Sequence, residues 1–146
     1  ESADVKVFHA GTLAGNPLAT AAGLAALDEL TDDAYMELGA RARKLAAILR
    51  DAAEAYSIPA LFPVVGTLVG MYLGSSDVNS TPRNFDEAKT TDEQLYAKLF
   101  HACLRAGVAL APGAYEALFV GLGHDDATMN ELERRIAIAF AECAKS

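Results

Sequence analysis

Between residues 10 and 27 the chain carries no charged side chain, yet Gly11, Gly15, Asn16, Pro17 and Gly23 break the run. A membrane span needs roughly 20 consecutive apolar residues in one helix, and this stretch is too interrupted to supply it. It divides instead into a glycine-punctuated loop over residues 9–16 and a helix whose start is written in Asn16-Pro17. Asparagine accepts hydrogen bonds from the free first-turn amides, and proline's fixed φ and missing N–H suit the first helical position. The helix should run through Ala19, Ala22, Leu24 and Leu27 to about Leu30.

The pattern then changes several times. A second helix is expected from about Asp32 to Ala55, with Leu38, Leu45, Ile48 and Leu49 on one face. Residues 58–65 and 67–73 are short apolar runs separated by Gly66 and ended by Gly74 and a polar loop, which reads as two antiparallel strands. Asp92 caps a helix through Leu95, Leu99, Phe100 and Leu104 that stops at Gly107. Residues 108–110 and 118–120 are candidate short strands. Asp125 or Asp126 starts a last helix with Met129, Leu132, Ile136 and Phe140 facing inward. The expected class is α/β, more closely α+β: a small antiparallel sheet covered by helices, with a long linking helix on its N-terminal side. Such an arrangement suits an appended subdomain better than a self-contained enzyme.

At 146 residues the chain is long enough for one compact domain, and its 52% apolar share is rich in alanine, which favours helix because it loses no side-chain entropy. A net charge of −8 repels phosphate backbones and argues against a nucleic-acid partner. The basic clusters Arg41/Arg43/Lys44 and Arg134/Arg135 fall in helical patterns and read as solvated faces. Cys103 and Cys143 have neither zinc-ligand spacing nor enough company for a disulfide framework, which fits a reduced, cytoplasmic compartment. Glu1, Asp4 and Lys6 open the chain with charge, so no secretory signal is expected there.

Two segments can carry chemistry. In His9-Ala-Gly-Thr-Leu-Ala-Gly-Asn-Pro17, Gly11 and Gly15 let backbone approach a ligand, Thr12 offers a hydroxyl, and the following helix offers unpaired amides at its positive end. Together these suit a phosphate. The pattern is short and lacks the lysine of nucleotide-binding phosphate loops, so a capped helix behind a flexible loop accounts for it as well. In Leu110-Ala-Pro-Gly-Ala-Tyr-Glu-Ala-Leu-Phe119, Glu116 stands alone among apolar neighbours, either as a partly buried carboxylate with a shifted pKa or as an exposed loop glutamate. Tyr115 can equally be a core residue with its hydroxyl at the surface. His101 and His124 lack a third ligand at sensible spacing, so no metal site is expected. Ser57, Ser75, Ser76 and Ser80 have no G-x-S-x-G context.

Taken in order, these segments resemble one family. Residues 10–23 are similar to the AGTLSGNPxAxAAG signature of the glutamate-1-semialdehyde 2,1-aminomutases; residues 84–89 (Asn-Phe-Asp-Glu-Ala-Lys) are similar to NYxDA-K. Residues 100–112 resemble FFHxMLxxGVYLAPS, and residues 115–119 the FEAxF that follows. The first motif is shared loosely with the wider ω-aminotransferases, while the later ones favour the aminomutase. The resemblance implies the C-terminal part of a fold type I pyridoxal 5'-phosphate enzyme, a cytoplasmic homodimer of tetrapyrrole (porphyrin) biosynthesis. It would convert glutamate-1-semialdehyde to 5-aminolevulinate by moving an amino group between adjacent carbons. It implies that Gly11 and Thr12 bind the cofactor, Thr12 contacting the phosphate of a cofactor held mainly by the partner subunit, and that Glu116 orients groups near the active site. Residues 1–30 would then end the large cofactor-binding domain, and residues 31–146 would form the small C-terminal domain.

The chain departs from the family pattern at Ala14 and Gly113, where serine is usual, and at Gly121 and Asp125, where serine and threonine are common. Residues 1–6 do not match the usual approach to the threonine loop. The lysine that such chemistry requires for its Schiff base precedes that loop in the family, so it is expected upstream of Glu1, as is the aspartate that pairs with the pyridine nitrogen. Lys6, Lys44, Lys89, Lys98 and Lys145 have no such context. Between Val108 and Glu133 there is no arginine to clamp an α-carboxylate, which suits a semialdehyde substrate, unless the fold brings Arg83 or Arg105 into place. Two other readings stay open: a segment of another ω-aminotransferase, and a non-catalytic dimerisation or interaction domain derived from such an enzyme.

Overall fold

The computed structural model of the chain describes residues 10–74 and 80–145. His9, Lys6, the unmatched residues 1–6, and Ser75 and Ser76 lie outside the described residues. Helix α1 (Pro17–Asp28) opens as the sequence predicts, with Asn16 Oδ1 accepting from the N–H of Leu18 and Ala19 at 3.0 Å each. It ends two residues short of Leu30. Its apolar residues are uncovered: α1 buries no residue, and Leu18 and Leu24 are 81% and 66% exposed.

Helix α2 (Asp32–Ala55) follows, capped by the Thr31 hydroxyl, and buries Leu38, Leu45, Ile48 and Leu49 as its 3.6-residue period requires. Its buried face lies along a hairpin built from β1 (Ala60–Leu61), β2 (Val64–Val65), β3 (Leu68–Val69) and β4 (Tyr72–Leu73). The two expected antiparallel runs are present, but Pro63 has no N–H to give the ladder, so it splits into a β1–β4 pair and a β2–β3 pair bridged by Gly70 N–H to Pro63 O at 2.9 Å. Gly66, with φ +59°, makes the turn between β2 and β3.

A four-residue helix, α3 (Phe85–Ala88), is capped by Asn84 and was not anticipated from periodicity, being a single turn. Helix α4 (Glu93–Arg105) starts on the Asp92 carboxylate and buries Tyr96, Leu99, Ala102 and Cys103. Leu104, one of the residues through which the sequence pattern draws this helix, is exposed. The strand expected at residues 108–110 does not form. Val108 N–H donates to Cys103 O and Gly107 N–H to Leu104 O, so these residues close the C-terminus of α4 as a Schellman turn. The second expected strand does form: β5 (Leu118–Phe119) pairs antiparallel with β3, giving a second small sheet of order β2-β3-β5. In it the row Val64, Val69, Leu118 faces the core, while the row Val65, Leu68, Phe119 faces outward.

Helix α5 (Asp126–Cys143), capped by Asp125, packs on both α2 and α4 and buries Met129, Ile136 and Phe140, with Leu132 half-buried. Phe140, Leu49, Leu73 and Leu99 meet at the centre with almost no exposed surface. The basic clusters do more than face solvent. Arg41 donates to the carbonyls of Gly121 and Leu122 at 3.0 and 2.5 Å, tying the loop before α5 to α2, and Arg135 donates to Ala106 O at 2.8 Å. Among the described residues no helix is long and apolar enough to cross a membrane.

Candidate functional site

The first candidate segment folds into an open turn. Gly11 takes φ +140° and Gly15 φ +71°, conformations that side-chain-bearing residues rarely adopt, and the turn closes through Ala14 N–H to Gly11 O and Asn16 N–H to Leu13 O at 3.0 and 3.2 Å. Thr12 is exposed at its apex, and neither its hydroxyl nor the amides of Thr12, Leu13 and Gly15 bond to other described residues. The helix-end donors are different. Those of Leu18 and Ala19 are already taken by the Asn16 side chain, and Pro17 has none. The expectation of unpaired amides at the start of α1 is therefore corrected: cap quality and anion binding compete for the same N–H groups, and the cap holds them. What remains for an anion is the Thr12 hydroxyl and the loop amides. Gly11 and Thr12 stay together here, whereas the hydrogen bonds of the turn connect it only to residues 11–20 and not to the Glu116 loop.

The second segment is held from α4. Of the two readings of Glu116, the structure of this chain gives the exposed carboxylate, on a loop whose buried anchor is Ala114. Two residues of the first turns of α4 grip that loop. Tyr96, buried, donates its hydroxyl to Ala111 O at 2.6 Å, and Glu93 Oε1 accepts from the Tyr115 hydroxyl at 2.5 Å. Burial, with the nearby Cys103 and Glu116, pushes the Tyr96 hydroxyl up from its ordinary pKa, while the bond to Glu93 raises that of Tyr115. The Tyr115 ring is neither core nor free, standing edge-on to Phe85 of α3 at 5.4 Å between centroids, with the Lys89 ammonium 5.3 Å over the Phe85 ring. Glu93, Tyr96 and Phe85 were not singled out from sequence. Glu93 and Tyr96 share a helix face by their three-residue spacing, but nothing local says which loop that face meets.

The other candidates are occupied structurally. His124 Nδ1 accepts from Gly121 N–H at 3.0 Å, and His101 stands exposed, edge-on to Phe100. His124 lines a cavity of about 680 Å³ with Leu45, Val108, Leu118, Glu131 and Arg135, but neither Thr12 nor Glu116 belongs to it. Arg105 pairs with Glu142 at the C-terminal end of α4, about 18 Å along the helix from the Glu93 turn, and Arg83 pairs with Glu87 at 3.7 Å. Cys103 and Cys143 are buried and unbridged, and desolvation pushes the Cys103 thiol up to about 12. Among the departures from the family pattern, Asp125 caps α5 through Thr128 N–H as a threonine would. A Cβ at Gly121 would meet only His124 Nδ1, at an ordinary contact distance of 3.7 Å, so nothing in the structure explains glycine there.

No protein-family model matches the chain. Curated relatives do. The chain is 36% identical over 131 residues to a glutamate-1-semialdehyde 2,1-aminomutase of Limosilactobacillus reuteri, 90% of this chain and 29% of that protein. It is 38% identical over 133 residues to glutamate-1-semialdehyde 2,1-aminomutase 2 of Geobacillus kaustophilus, again 91% of this chain and 29% of the relative. Among solved structures, a glutamate-1-semialdehyde aminomutase from Pseudomonas aeruginosa PAO1 superposes with a TM-score of 0.73 at 26% identity, over 97% of this chain and 31% of that one. An ω-transaminase from Sphaerobacter thermophilus, at 18% identity and TM-score 0.70, shares the fold. The chain thus spans about three tenths of the length of the relatives it matches. By sequence and by fold alike, it is related to a segment of the glutamate-1-semialdehyde 2,1-aminomutases.

Proposed function

We propose that this chain serves a pyridoxal 5'-phosphate-dependent aminomutase that converts glutamate-1-semialdehyde to 5-aminolevulinate, the remainder of the catalytic apparatus lying in polypeptide outside these residues. The observation that carries the reading is the 36–38% identity to such enzymes over nine tenths of the chain, on a backbone that superposes on one of them. A P. aeruginosa aminomutase variant of the same fold was crystallised in complex with PMP. The residues here fit such a group. Thr12 presents a hydroxyl without a partner among the described residues beside unclaimed loop amides, and the positive-φ Gly11 leaves backbone open to close approach.

In this reading Thr12 and Gly11 hold the phosphate, and pyridoxal phosphate supplies the electron-accepting ring on which the amino group is carried between carbons. Glu116 faces the substrate side and orients polar groups there. The absence of arginine between residues 108 and 133 leaves room for a semialdehyde and gives no bidentate clamp for a second carboxylate. Residues 1–30 belong to the cofactor-binding domain and residues 31–146 to the small domain, a division supported by α1 burying nothing while α2 buries ten residues. The protein acts as a homodimer in the cytoplasm. A helix whose polar side chains are only Thr20 and Asp28 and which buries none of its residues calls for cover from outside these residues, and two unbridged buried thiols suit a reducing compartment.

The test is to supply the full-length protein with glutamate-1-semialdehyde and no external amino donor. Formation of 5-aminolevulinate supports the aminomutase. Turnover only when an amino donor is added would make it an ω-aminotransferase.

A further inference from the structure

We infer that Tyr115 is a positioning residue for Glu116, latching the loop that carries it onto the first turn of α4; this rests on the reading that Glu116 acts at the active site. Residues 111–116 are held at two points by side chains one helical turn apart, Tyr96 on Ala111 O at 2.6 Å and Glu93 on the Tyr115 hydroxyl at 2.5 Å. The second hold is adjacent in the chain to Glu116, so it fixes the direction in which that carboxylate leaves the loop. Phe85 of α3 stands edge-on to the Tyr115 ring, a further contact on the same side chain.

Gly113 explains why a hold is needed at 115. The family pattern has serine at 113 and phenylalanine at 115; this chain has glycine and tyrosine. The loop turns through Glu116 N–H to Gly113 O at 3.3 Å, and the Glu116 side chain folds back over the glycine. A Cβ at 113 would lie 3.4 Å from Glu116 Cγ and 3.7 Å from its Oε1, ordinary contact distances, and φ at 113 is not positive. A serine there would bring its hydroxyl within reach of the carboxylate it is meant to orient. With glycine that partner is gone, and the Tyr115–Glu93 bond supplies the restraint from the other side.

The experiment uses the full-length holoenzyme and follows kcat and KM separately. Tyr115→Phe removes only the hydroxyl, leaving the ring against Phe85. It should lower kcat about three- to tenfold, the range expected for one lost hydrogen bond, with cofactor content and melting temperature unchanged. Glu93→Ala should match it, and Glu93→Gln, which keeps an acceptor, should not. Adding Gly113→Ser to Tyr115→Phe should restore kcat, which a merely structural role for Tyr115 does not predict. In a Glu116→Gln background Tyr115→Phe should have no further effect. The latch is overturned if Tyr115→Phe is silent while Glu116→Gln is impaired, or if the two losses multiply. A silent Glu116→Gln would instead remove the role of Glu116, and the latch with it.

Discussion

At Gly107 the chain leaves α4 with φ +82°, and a Cβ built there would stand 2.0 Å from Arg135 Nη1, the atom that donates to Ala106 O. Any side chain must therefore adopt a left-handed backbone and expel the arginine that caps the helix. Gly107→Ala is expected to lower stability by about 1–3 kcal/mol, read as a fall in melting temperature with helical circular dichroism retained. The same residue-level logic separates the two candidate sites. Thr12 offers donors that nothing among the described residues uses. The helix-end amides beside it are spent on Asn16, a competition that the sequence motif alone does not display, because loop and cap are written in the same nine residues.

Among the elements, legibility followed the locality of the determining interaction. Asn16, Asp92 and Asp125 announce their helices because a cap bonds to amides two or three residues away, and all three do so. Residues 108–110 were misleading for the opposite reason. Val108 is buried and its N–H closes a Schellman turn on Cys103 O of α4, a contact that period-two reasoning cannot distinguish from a strand. Pro63 divides the hairpin, and α3 is a single turn too short for any period. On α5, Glu131 accepts from Arg134 and Arg135 at 2.7 Å each, and these bonds hold its pKa at about 2 against an ordinary 4.5. Because the folded value is depressed, this stabilisation is complete above about pH 4.5 and fades as pH falls towards 2. Glu131→Gln should therefore melt below the parent at neutral pH, and the difference should narrow on acidification. A difference independent of pH would contradict that origin.

At the scale of the molecule, residues 31–145 close a core of their own around Phe140, Leu49 and Leu99, while α1 contributes nothing to it. Removing residues 1–29 should leave the melting temperature of the chain unchanged and reduce self-association. A marked loss of stability would show that α1 belongs to the same unit. The sequence made α1 recognisable as a helix but gave no sign that its apolar faces would lack cover, since that depends on what lies outside these residues. The proposed function requires the exposed Thr12 hydroxyl to hold a cofactor phosphate. The direct measurement is the pyridoxal phosphate dissociation constant of the full-length protein and of its Thr12→Val and Thr12→Ser variants. Loss of one hydrogen bond to a charged group is worth about 1.5–3 kcal/mol, so Thr12→Val should bind roughly ten- to a hundredfold more weakly while Thr12→Ser binds near the parent value. Equal affinity in all three would contradict the assignment.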